Sequence, residues 1–193
     1  MINEAELKRR AAKAAEVMRR GGTILYPTDT IWGLGCDARN DAAVERLYDL
    51  KERPHAMSML VIVECEERLQ TLVGELSPAI REVLRQAIRP TTIIYPHVKG
   101  VAHNLCAADG SLGIRVVKHP LCEAMVKALD APIVSTSANL SGQPTGRTLE
   151  EIDPRIRTSV DWVAPSLYDT TLASTTGSRI LKFVDGDFEV IRE

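Results

Sequence analysis

The sequence predicts an α/β fold built on an open, twisted, mixed sheet with helices packed against it. Short apolar, β-branched segments and amphipathic helical segments alternate along the chain, but in an irregular order. Regular alternation is typical of doubly wound parallel sheets, so the irregular order favours a mixed sheet. The 193 residues, 45% of them apolar, suit one domain with a real core. We therefore expect a single domain spanning residues 1–193.

Charge and composition exclude several classes of protein. A net charge of −2 excludes a chain that is basic all over, and 4% aromatic residues offer no stacking platform for nucleic acid. Four widely spaced cysteines without a C-x-x-C pair indicate reduced, mostly buried thiols and a cytoplasmic protein. No apolar run approaches about 18 residues, and the polar N-terminus does not resemble a signal peptide. We expect no membrane association.

Periodicity and breakers place the elements in chain order. Helices are predicted over residues 4–20, 41–51, 78–88 and 120–129, with a short one near 148–152. Strands are predicted over residues 23–26, 57–63, 91–95, 112–117, 132–135, 160–163, 178–184 and 187–192. Asn40 or Asp41 caps the second helix, and Asp185-Gly186 joins the last two strands in a hairpin. Residues 96–110 are predicted to be irregular.

The first candidate site follows the first strand. Pro27 should end pairing, because proline cannot donate to a strand ladder. Thr28 and Thr30 fall on one side if the extended backbone continues, and Gly33 and Gly35 are predicted to form a turn before the helix. This hydroxyl-rich strand end suits a small anionic ligand. By itself, a plain strand-to-helix turn explains it equally well.

Two cations, Lys51 and Arg53, follow the second helix. Pro54 pushes Arg53 out of helical conformation, so both side chains are expected to leave the core and face one edge. Cations at a helix C-terminus also complement the helix dipole. Taken alone, the pair is therefore more typical of a solvated surface.

Further polar residues accompany later strands. Alternation places Ser135, Ser137 and Asn139 on one face, where hydroxyls and an amide suit phosphate or carboxylate oxygens, although a loop is the alternative. Arg115 lies within an apolar strand, so it is either an edge residue or a charge held for a ligand. Residues 172–179 form another hydroxyl cluster, which a loop explains as well.

The familiar signatures of nucleotide and hydrolase sites are missing. The chain has no G-x-x-x-x-G-K-[ST], G-x-G-x-x-G, H-E-x-x-H or G-x-S-x-G motif. Its four histidines show no ligand spacing. We therefore expect no metal site built from protein side chains.

Together, the patches resemble the YrdC-like family of L-threonylcarbamoyladenylate synthases, which begin t6A modification of tRNA. The resemblance rests on residues 26–35 (YPTDTIWGLG), the Lys51-x-Arg53-Pro54 segment, residues 113–115 (GIR), residues 135–142 (STSANLSG) and residues 174–175. It covers nearly the whole chain. It implies a large, positively lined central cavity. It also implies a nucleotidyltransferase that makes threonylcarbamoyl-AMP and pyrophosphate from L-threonine, bicarbonate and ATP, on the way to t6A37.

The resemblance also implies roles for individual residues. Lys51 and Arg53 are the expected catalytic residues, offsetting charge on the phosphates. The residues expected to bind threonine are Thr30, Arg115, Ser135 and Ser174. Those expected to bind ATP are Lys51, Arg53, Ser111, Ser137, Asn139, Thr145 and Arg192. Mg²⁺ is expected to arrive with ATP, carried by phosphate and water.

The resemblance leaves alternatives open. Partners that it implies include tRNA or double-stranded RNA and the downstream threonylcarbamoyl-transferase complex. An RNA-binding module is one alternative function, and a nucleotide-binding paralogue with little synthase activity is another. The chain departs from the family pattern at Trp32, at residues 89–92 (RPTT) and after Arg192, where Pro-Gly is usual. We also expect it to lack the additional C-terminal domain of some relatives.

Overall fold

The computed structural model describes residues 3–55, 57–168 and 177–193. Within these ranges the strands are β1 Ile24–Tyr26, β2 Gly33–Gly35, β3 Leu60–Val63, β4 Thr91–Tyr95, β5 Leu112–Val116, β6 Ile133–Ser137, β7 Trp162–Val163, β8 Arg179–Val184 and β9 Asp187–Arg192. The α-helices are α1 Glu4–Arg19, α2 Asp41–Leu50, α3 Glu66–Val73, α4 Pro78–Gln86, α5 Pro120–Leu129 and α6 Pro154–Ser159. Short 3₁₀ turns cover His103–Leu105, Leu149–Glu151 and Ser166–Tyr168.

The strands form one nine-stranded sheet in the order β7-β1-β2-β6-β3-β5-β4-β8-β9. The β1–β7, β3–β5 and β4–β8 pairs are parallel, and the other neighbouring pairs are antiparallel. Five of the eight neighbouring pairs join strands that are not consecutive in the chain, so residues far apart in sequence share one face. The predicted α/β class, with a mixed sheet and flanking helices, is confirmed.

Most predicted elements are present with shifted ends. The hairpin around Asp185-Gly186 joins β8 and β9, and Asn40 caps α2 by accepting a hydrogen bond from the Ala43 amide. β3 begins at Leu60, later than predicted, while β6 runs on to Ser137. Helices α3 and α6 were not predicted, because both are short and their apolar faces are narrow.

The predicted glycine turn before α2 is wrong. Gly33–Gly35 is strand β2, which pairs with β1 on one side and β6 on the other. A Cβ on Gly35 would overlap the carbonyl oxygen of Val134 and lie 2.8 Å from Cε1 of Tyr26. Glycine is therefore required by the close approach of neighbouring strands, and not by a turn.

Apolar helix faces cover the sheet and form the core. Helices α1 and α5 pack against each other, and α3 and α5 contact β3. The buried residues of α1 are Ala11, Ala14, Ala15 and Met18, so its spacing of small side chains lets α5 approach closely. The buried residues of the strands that these helices cover are therefore fixed in register, including those with polar side chains.

The four cysteines lie at different depths in the structure. All four cysteines are free; Cys36 and Cys122 are buried, while Cys65 and Cys106 are half-buried. Burial raises the pKa of the Cys36 and Cys122 thiols. None of the helices in the described ranges combines the length and the apolar character that a bilayer crossing requires.

Candidate active site

A cavity of about 380 Å³ opens on one face of the sheet. Its described lining consists of Thr28, Thr30, Ile31, Trp32, Gly33, Arg53, Ser58, Met59, Leu60, Thr92, Ile94, Gly113, Arg115, Ser135, Thr136, Ser137, Thr145, Gly177, Ser178, Ile180 and Arg192. The lining includes three arginines and many hydroxyls, and no carboxylate within the part of the chain that the structure describes. Such a lining favours a ligand that carries several negative charges.

Strand register sets a row of side chains across the cavity floor. The β4–β5 register places Thr92 opposite Arg115, the β4–β8 register pairs Thr92 with Ile180, and β9 pairs Ile180 with Arg192. A register shift next to Ile180 allows Arg192 to occupy this position. Two arginines from distant parts of the chain thus lie at opposite ends of one row.

Arg115 is a buried cation with an unsatisfied donor. It is 3% exposed, and its Nη2 lies 3.2 Å from Oδ1 of Asp29. Its Nη1 donates to Oγ1 of Thr30 at 3.4 Å, a long hydrogen bond, and its Nε has no partner among the described residues. The Lys118 amide holds the other oxygen of Asp29 at 3.1 Å. Arg115 is therefore oriented by the protein and retains a donor for a ligand.

The hydroxyls after β1 converge as predicted, although strand β1 ends at Tyr26. Oγ1 atoms of Thr28 and Thr30 lie 2.9 Å apart, and Thr28 donates to the carbonyl oxygen of Ile31. Ser135, on β6, lines the same part of the cavity. The loop is therefore closed on itself by hydrogen bonds, which hold Thr30 beside Arg115.

Lys51 does not point out of the core, so the predicted outward orientation is wrong for this residue. It is 1% exposed, and its Nζ donates to the carbonyl oxygens of Ser137 and Asn139, the latter at 2.6 Å. Its own carbonyl oxygen accepts from the Ser141 amide at 2.9 Å. Burial, with a smaller contribution from Arg53, lowers the pKa of Lys51 to about 7. The side chain ties α2 to the segment that follows β6.

Arg53, in contrast, lines the cavity as predicted. Its Nε donates to the carbonyl oxygen of Met57 at 2.9 Å and its Nη2 to that of Ser58 at 3.1 Å. Glu52 adopts a positive φ of 50°, so the backbone turns sharply between the two cations. This turn sends neighbouring basic side chains in different directions, which periodicity did not indicate.

Polar side chains at the end of β6 and in the loop that follows also point in different directions. Ser137 and Thr145 line the cavity, but Asn139 does not. The Asn139 amide nitrogen donates to the carbonyl oxygens of Leu140 and Gln143, so this side chain shapes the loop. The expected common face for Ser135, Ser137 and Asn139 is wrong at Asn139, because β6 ends at Ser137. Beyond the strand, alternation no longer applies.

Ser111, like Lys51 and Asn139, lies outside the cavity lining. It precedes β5, and its Oγ donates to Oδ1 of Asp109 at 2.5 Å. The Ser111 hydroxyl is therefore already hydrogen-bonded to the Asp109 carboxylate. Ser174, predicted to bind threonine, lies outside the described residues.

Arg192 reaches the cavity from the last strand. Its Nε and Nη2 donate to the carbonyl oxygen of Ser178, at 3.0 and 2.6 Å. Burial and the nearby charge of Arg115 lower its pKa, and both arginines line the same cavity. A Cβ on Gly177 would lie 2.6 Å from Arg192 Nη2, so glycine at this position makes room for the guanidinium.

The structure thus brings together seven predicted site residues: Thr30, Arg53, Arg115, Ser135, Ser137, Thr145 and Arg192. Five lining hydroxyls had no individual role in the sequence-based prediction: Thr28 and Ser178, which belong to predicted polar segments, and Ser58, Thr92 and Thr136. Thr28 and Thr136 stand within the recognised segments, and their polarity was a usable signal. Thr92 and Ser178 meet only through strand pairing, which nothing local in the sequence indicates.

No cluster of three or more histidine, cysteine or acidic side chains suited to a metal occurs among the described residues. Asp29, a carboxylate in contact with Arg115 of the floor, is engaged by that arginine and by the Lys118 amide. The residues present therefore do not form a protein-built magnesium site.

Comparison with known proteins identifies the family. Residues 16–193 match the Sua5/YciO/YrdC family model, described as "Telomere recombination". The chain belongs to this family. It is 37% identical over 154 residues to a threonylcarbamoyl-AMP synthase of Xanthomonas euvesicatoria pv. vesicatoria, covering 78% of this chain and 82% of that protein.

Solved structures agree in fold. E. coli YciO matches with a TM-score of 0.80 at 27% identity, over 96% of this chain and 89% of YciO. P. abyssi Sua5 complexed with L-threonine matches with a TM-score of 0.82 at 22% identity, over 91% of this chain. The chain spans 51% of that Sua5 chain, about half of its length. This second match shows the fold alone.

Proposed function

We propose that this protein synthesises L-threonylcarbamoyl-AMP from L-threonine, bicarbonate and ATP and releases pyrophosphate, as a nucleotidyltransferase in the first step of t6A37 formation in tRNA. Support comes from family membership and from the synthase relative that shares 37% of its residues over most of both chains. The observation that carries the proposal is the arginine-rich, carboxylate-free lining described above. All three substrates carry negatively charged groups, and a lining of this kind stabilises such groups together.

Threonine is assigned to the end of the cavity at Arg115. The guanidinium is held by Asp29 and Thr30, while its Nε lacks a partner in the described ranges. A carboxylate bound there gains charge-assisted hydrogen bonds without new ordering of the arginine. Ser135 lies beside it, and we propose that Ser174 completes this end. The substrate amine then points toward the rest of the cavity.

ATP is assigned to the other end, where Arg53, Ser137, Thr145 and Arg192 line the cavity. Arg53 and Arg192 are anchored through backbone carbonyl oxygens, so their positions are set before ATP arrives. We propose that Lys51 and Asn139 contribute indirectly, by holding the loop that carries Ser137 and Thr145. Ser111 receives no role in this assignment, because its hydroxyl donates to Asp109.

The proposed reaction requires positioning and neutralised charge. The threonine amine attacks the bicarbonate carbon, a C–N bond forms, and water leaves, which yields a carbamate. A carbamate oxygen then attacks the α-phosphorus, and the bond to the bridging oxygen of pyrophosphate breaks. No covalent intermediate on the protein is needed, so arginine donors that offset charge on the phosphates provide the main contribution.

Three further assignments accompany the proposal. Mg²⁺ would enter with ATP, carried by phosphates and water, because the lining described above supplies no carboxylate for it. The four free cysteines support a cytoplasmic location. tRNA or double-stranded RNA, and the downstream threonylcarbamoyl-transferase complex, remain predicted partners.

Pyrophosphate release provides the test. The purified protein is assayed with ATP and Mg²⁺, with threonine and bicarbonate each omitted in turn, and the adenylate product is identified by mass spectrometry. We expect release to need both omitted substrates. Release that ignores threonine would contradict the proposal. Salt-sensitive RNA binding without turnover would favour the RNA-binding module instead.

A further inference from the structure

We infer that the hydroxyl pair of Thr92 and Ser178 is the subsite for bicarbonate, at the bottom of the cavity between Arg115 and Arg192. This inference rests on the proposed function, in which bicarbonate meets the threonine amine. The two oxygens, Oγ1 of Thr92 and Oγ of Ser178, lie 2.7 Å apart. Thr92 is 1% and Ser178 2% exposed, yet both line the cavity. They therefore lie at a depth that suits the smallest substrate.

Donor and acceptor chemistry favours bicarbonate at this pair. One of the two hydroxyl hydrogens is used between the oxygens, so the pair keeps one hydrogen to donate and lone pairs to accept. Bicarbonate carries both an anionic oxygen and an O–H group. Fully ionised phosphates have acceptors only, so a hydroxyl pair that can also accept a hydrogen bond discriminates in favour of bicarbonate.

Charge favours an anion at the same place. Thr92 lies between Arg115 and Arg192 in the row across the floor. The bonds of Arg192 to the carbonyl oxygen of Ser178 use its Nε and Nη2, so no described residue takes up its Nη1, which we assign to bicarbonate. Arg115, whose Nε is assigned to the threonine carboxylate, adds positive charge from the other side. Repulsion between the two guanidinium groups is relieved when an anion lies between them.

The surrounding shape limits the size of the ligand. Gly113 faces Thr92, and a Cβ there would lie 3.1 Å from Cγ2 of Thr92. A side chain at position 113 would therefore crowd Thr92, so glycine keeps a small hollow open beside this residue. Because Arg115 would hold the threonine carboxylate, the amine of that substrate comes within reach of a carbon held in this hollow.

The test compares four variants with the wild type. Thr92→Val and Ser178→Ala each remove one hydroxyl, whereas Thr92→Ser keeps a hydroxyl at position 92. Thr91→Val is the matched control, because Thr91 is on the same strand but alternation turns it away, and its Oγ1 donates to Arg89 O. Pyrophosphate release is measured against bicarbonate concentration in CO₂-depleted buffer, with ATP and threonine saturating, and against each of the other substrates.

We expect Thr92→Val and Ser178→Ala to raise the bicarbonate KM by about tenfold or more, with the KM values for threonine and ATP within about twofold of wild type. Thr92→Ser and Thr91→Val should keep the wild-type bicarbonate KM within the same limit. An unchanged bicarbonate KM in both hydroxyl deletions, or an equal rise in all three KM values, overturns the subsite. If Thr92→Val does not fold, Ser178→Ala decides alone. A wild-type protein that releases no pyrophosphate refutes the proposed function itself, and the subsite with it.

Discussion

The two ends of the cavity are built in different ways. At the proposed threonine end, Arg115 and Ser135 lie on strands β5 and β6, and Arg115 is 3% exposed. At the proposed nucleotide end, Arg53 and Thr145 lie on loops, and Arg53 is held by carbonyl oxygens of residues that follow it closely. The threonine end is set mainly by sheet register. The nucleotide end includes Ser137 and Arg192 on strands, but it depends in addition on the conformation of two loop segments.

This difference predicts different sensitivities to mutation. Strand residues keep their positions because shifting register would expose the whole core face. Loop residues need additional anchors, and Lys51 is such an anchor, since it joins the end of α2 to the segment after β6. Mutations at the threonine end of the cavity should therefore remove single contacts, whereas mutations of Lys51 should disturb several contacts at once.

The largest effect is expected for Arg115. Replacing it with alanine should lower kcat/KM for threonine by a factor that corresponds to a loss of about 2–5 kcal/mol in transition-state binding. The KM for ATP should stay nearly unchanged. The reason is the loss of a charge-assisted contact at one end only. Steady-state pyrophosphate release against each substrate measures the difference.

Arg115→Ala also leaves Asp29 without its buried partner, which destabilises the fold. The control is therefore the double variant Asp29→Asn with Arg115→Gln, which removes both charges together. It should melt closer to wild type than Arg115→Ala and still lose threonine affinity. Equal losses for ATP and threonine in the double variant would show that the two ends are not independent.

The next effect separates Lys51 from Arg53. Lys51→Met should lower the free energy of unfolding by about 1–3 kcal/mol, because two carbonyl oxygens lose their donor, and should also raise the KM for ATP. Arg53→Ala should reduce kcat by roughly 10²-fold with a smaller loss of stability, because its side chain faces the cavity. Urea unfolding and steady-state kinetics on both variants make the comparison. Identical stability losses would remove the distinction between anchor and ligand contact.

A smaller effect is expected at Gly177. An alanine Cβ there would displace the Arg192 guanidinium, whose flexible end can move without disturbing the core. Gly177→Ala should therefore raise the KM for ATP by roughly tenfold, about 1.4 kcal/mol, with a melting temperature near that of wild type. Arg192→Ala is the reference variant. A normal KM in Gly177→Ala alongside a defective Arg192→Ala would show that the guanidinium does not need its present position.

The smallest effect, measured between pH 7 and 8, is the dependence of the free energy of unfolding on pH. Burial lowers the pKa of Lys51 to about 7 from 10.5, so above about pH 7 the unfolded chain holds a proton that the folded chain has released. Stability should therefore rise with pH from about 7 to about 10.5, by at most about 1.4 kcal/mol per pH unit. Below pH 7 the cost of burying the charge is fully present. Unfolding of wild type and Lys51→Met at pH 7 and 8 tests this, and parallel profiles would contradict it.

Much of the molecule was predictable from local sequence. Periodicity placed α1, α2, α4 and α5, and apolar runs placed β4 and β5 with nearly correct ends. Breakers were equally informative: Pro27 follows the end of β1, and Asp185-Gly186 forms the hairpin turn. These signals act within a few residues, so they do not depend on the rest of the fold.

The exceptions share a physical cause. Glycine usually marks a turn, and the sequence therefore predicts one at Gly33 and Gly35. In the structure these glycines allow β1, β2 and β6 to approach closely. Asn139 was placed by extending strand alternation past Ser137, where the strand ends. Neighbouring strands decide the conformation at Gly33–Gly35, and contacts that include the distant Lys51 accompany the end of β6 at Asn139.

The sequence by itself determined the family, the α/β class and the segments that line the cavity, because those depend on local pattern and on residue types. Only the tertiary structure decided which member of each segment faces the cavity. Lys51 and Arg53 are two positions apart, yet one is buried against Ser137 and Asn139 while the other lines the cavity. Thr92 and Ser178 are 86 positions apart and share a hydrogen bond. Side-chain direction at a loop and pairing across a sheet depend on distant residues, whose positions exist only after the chain has folded.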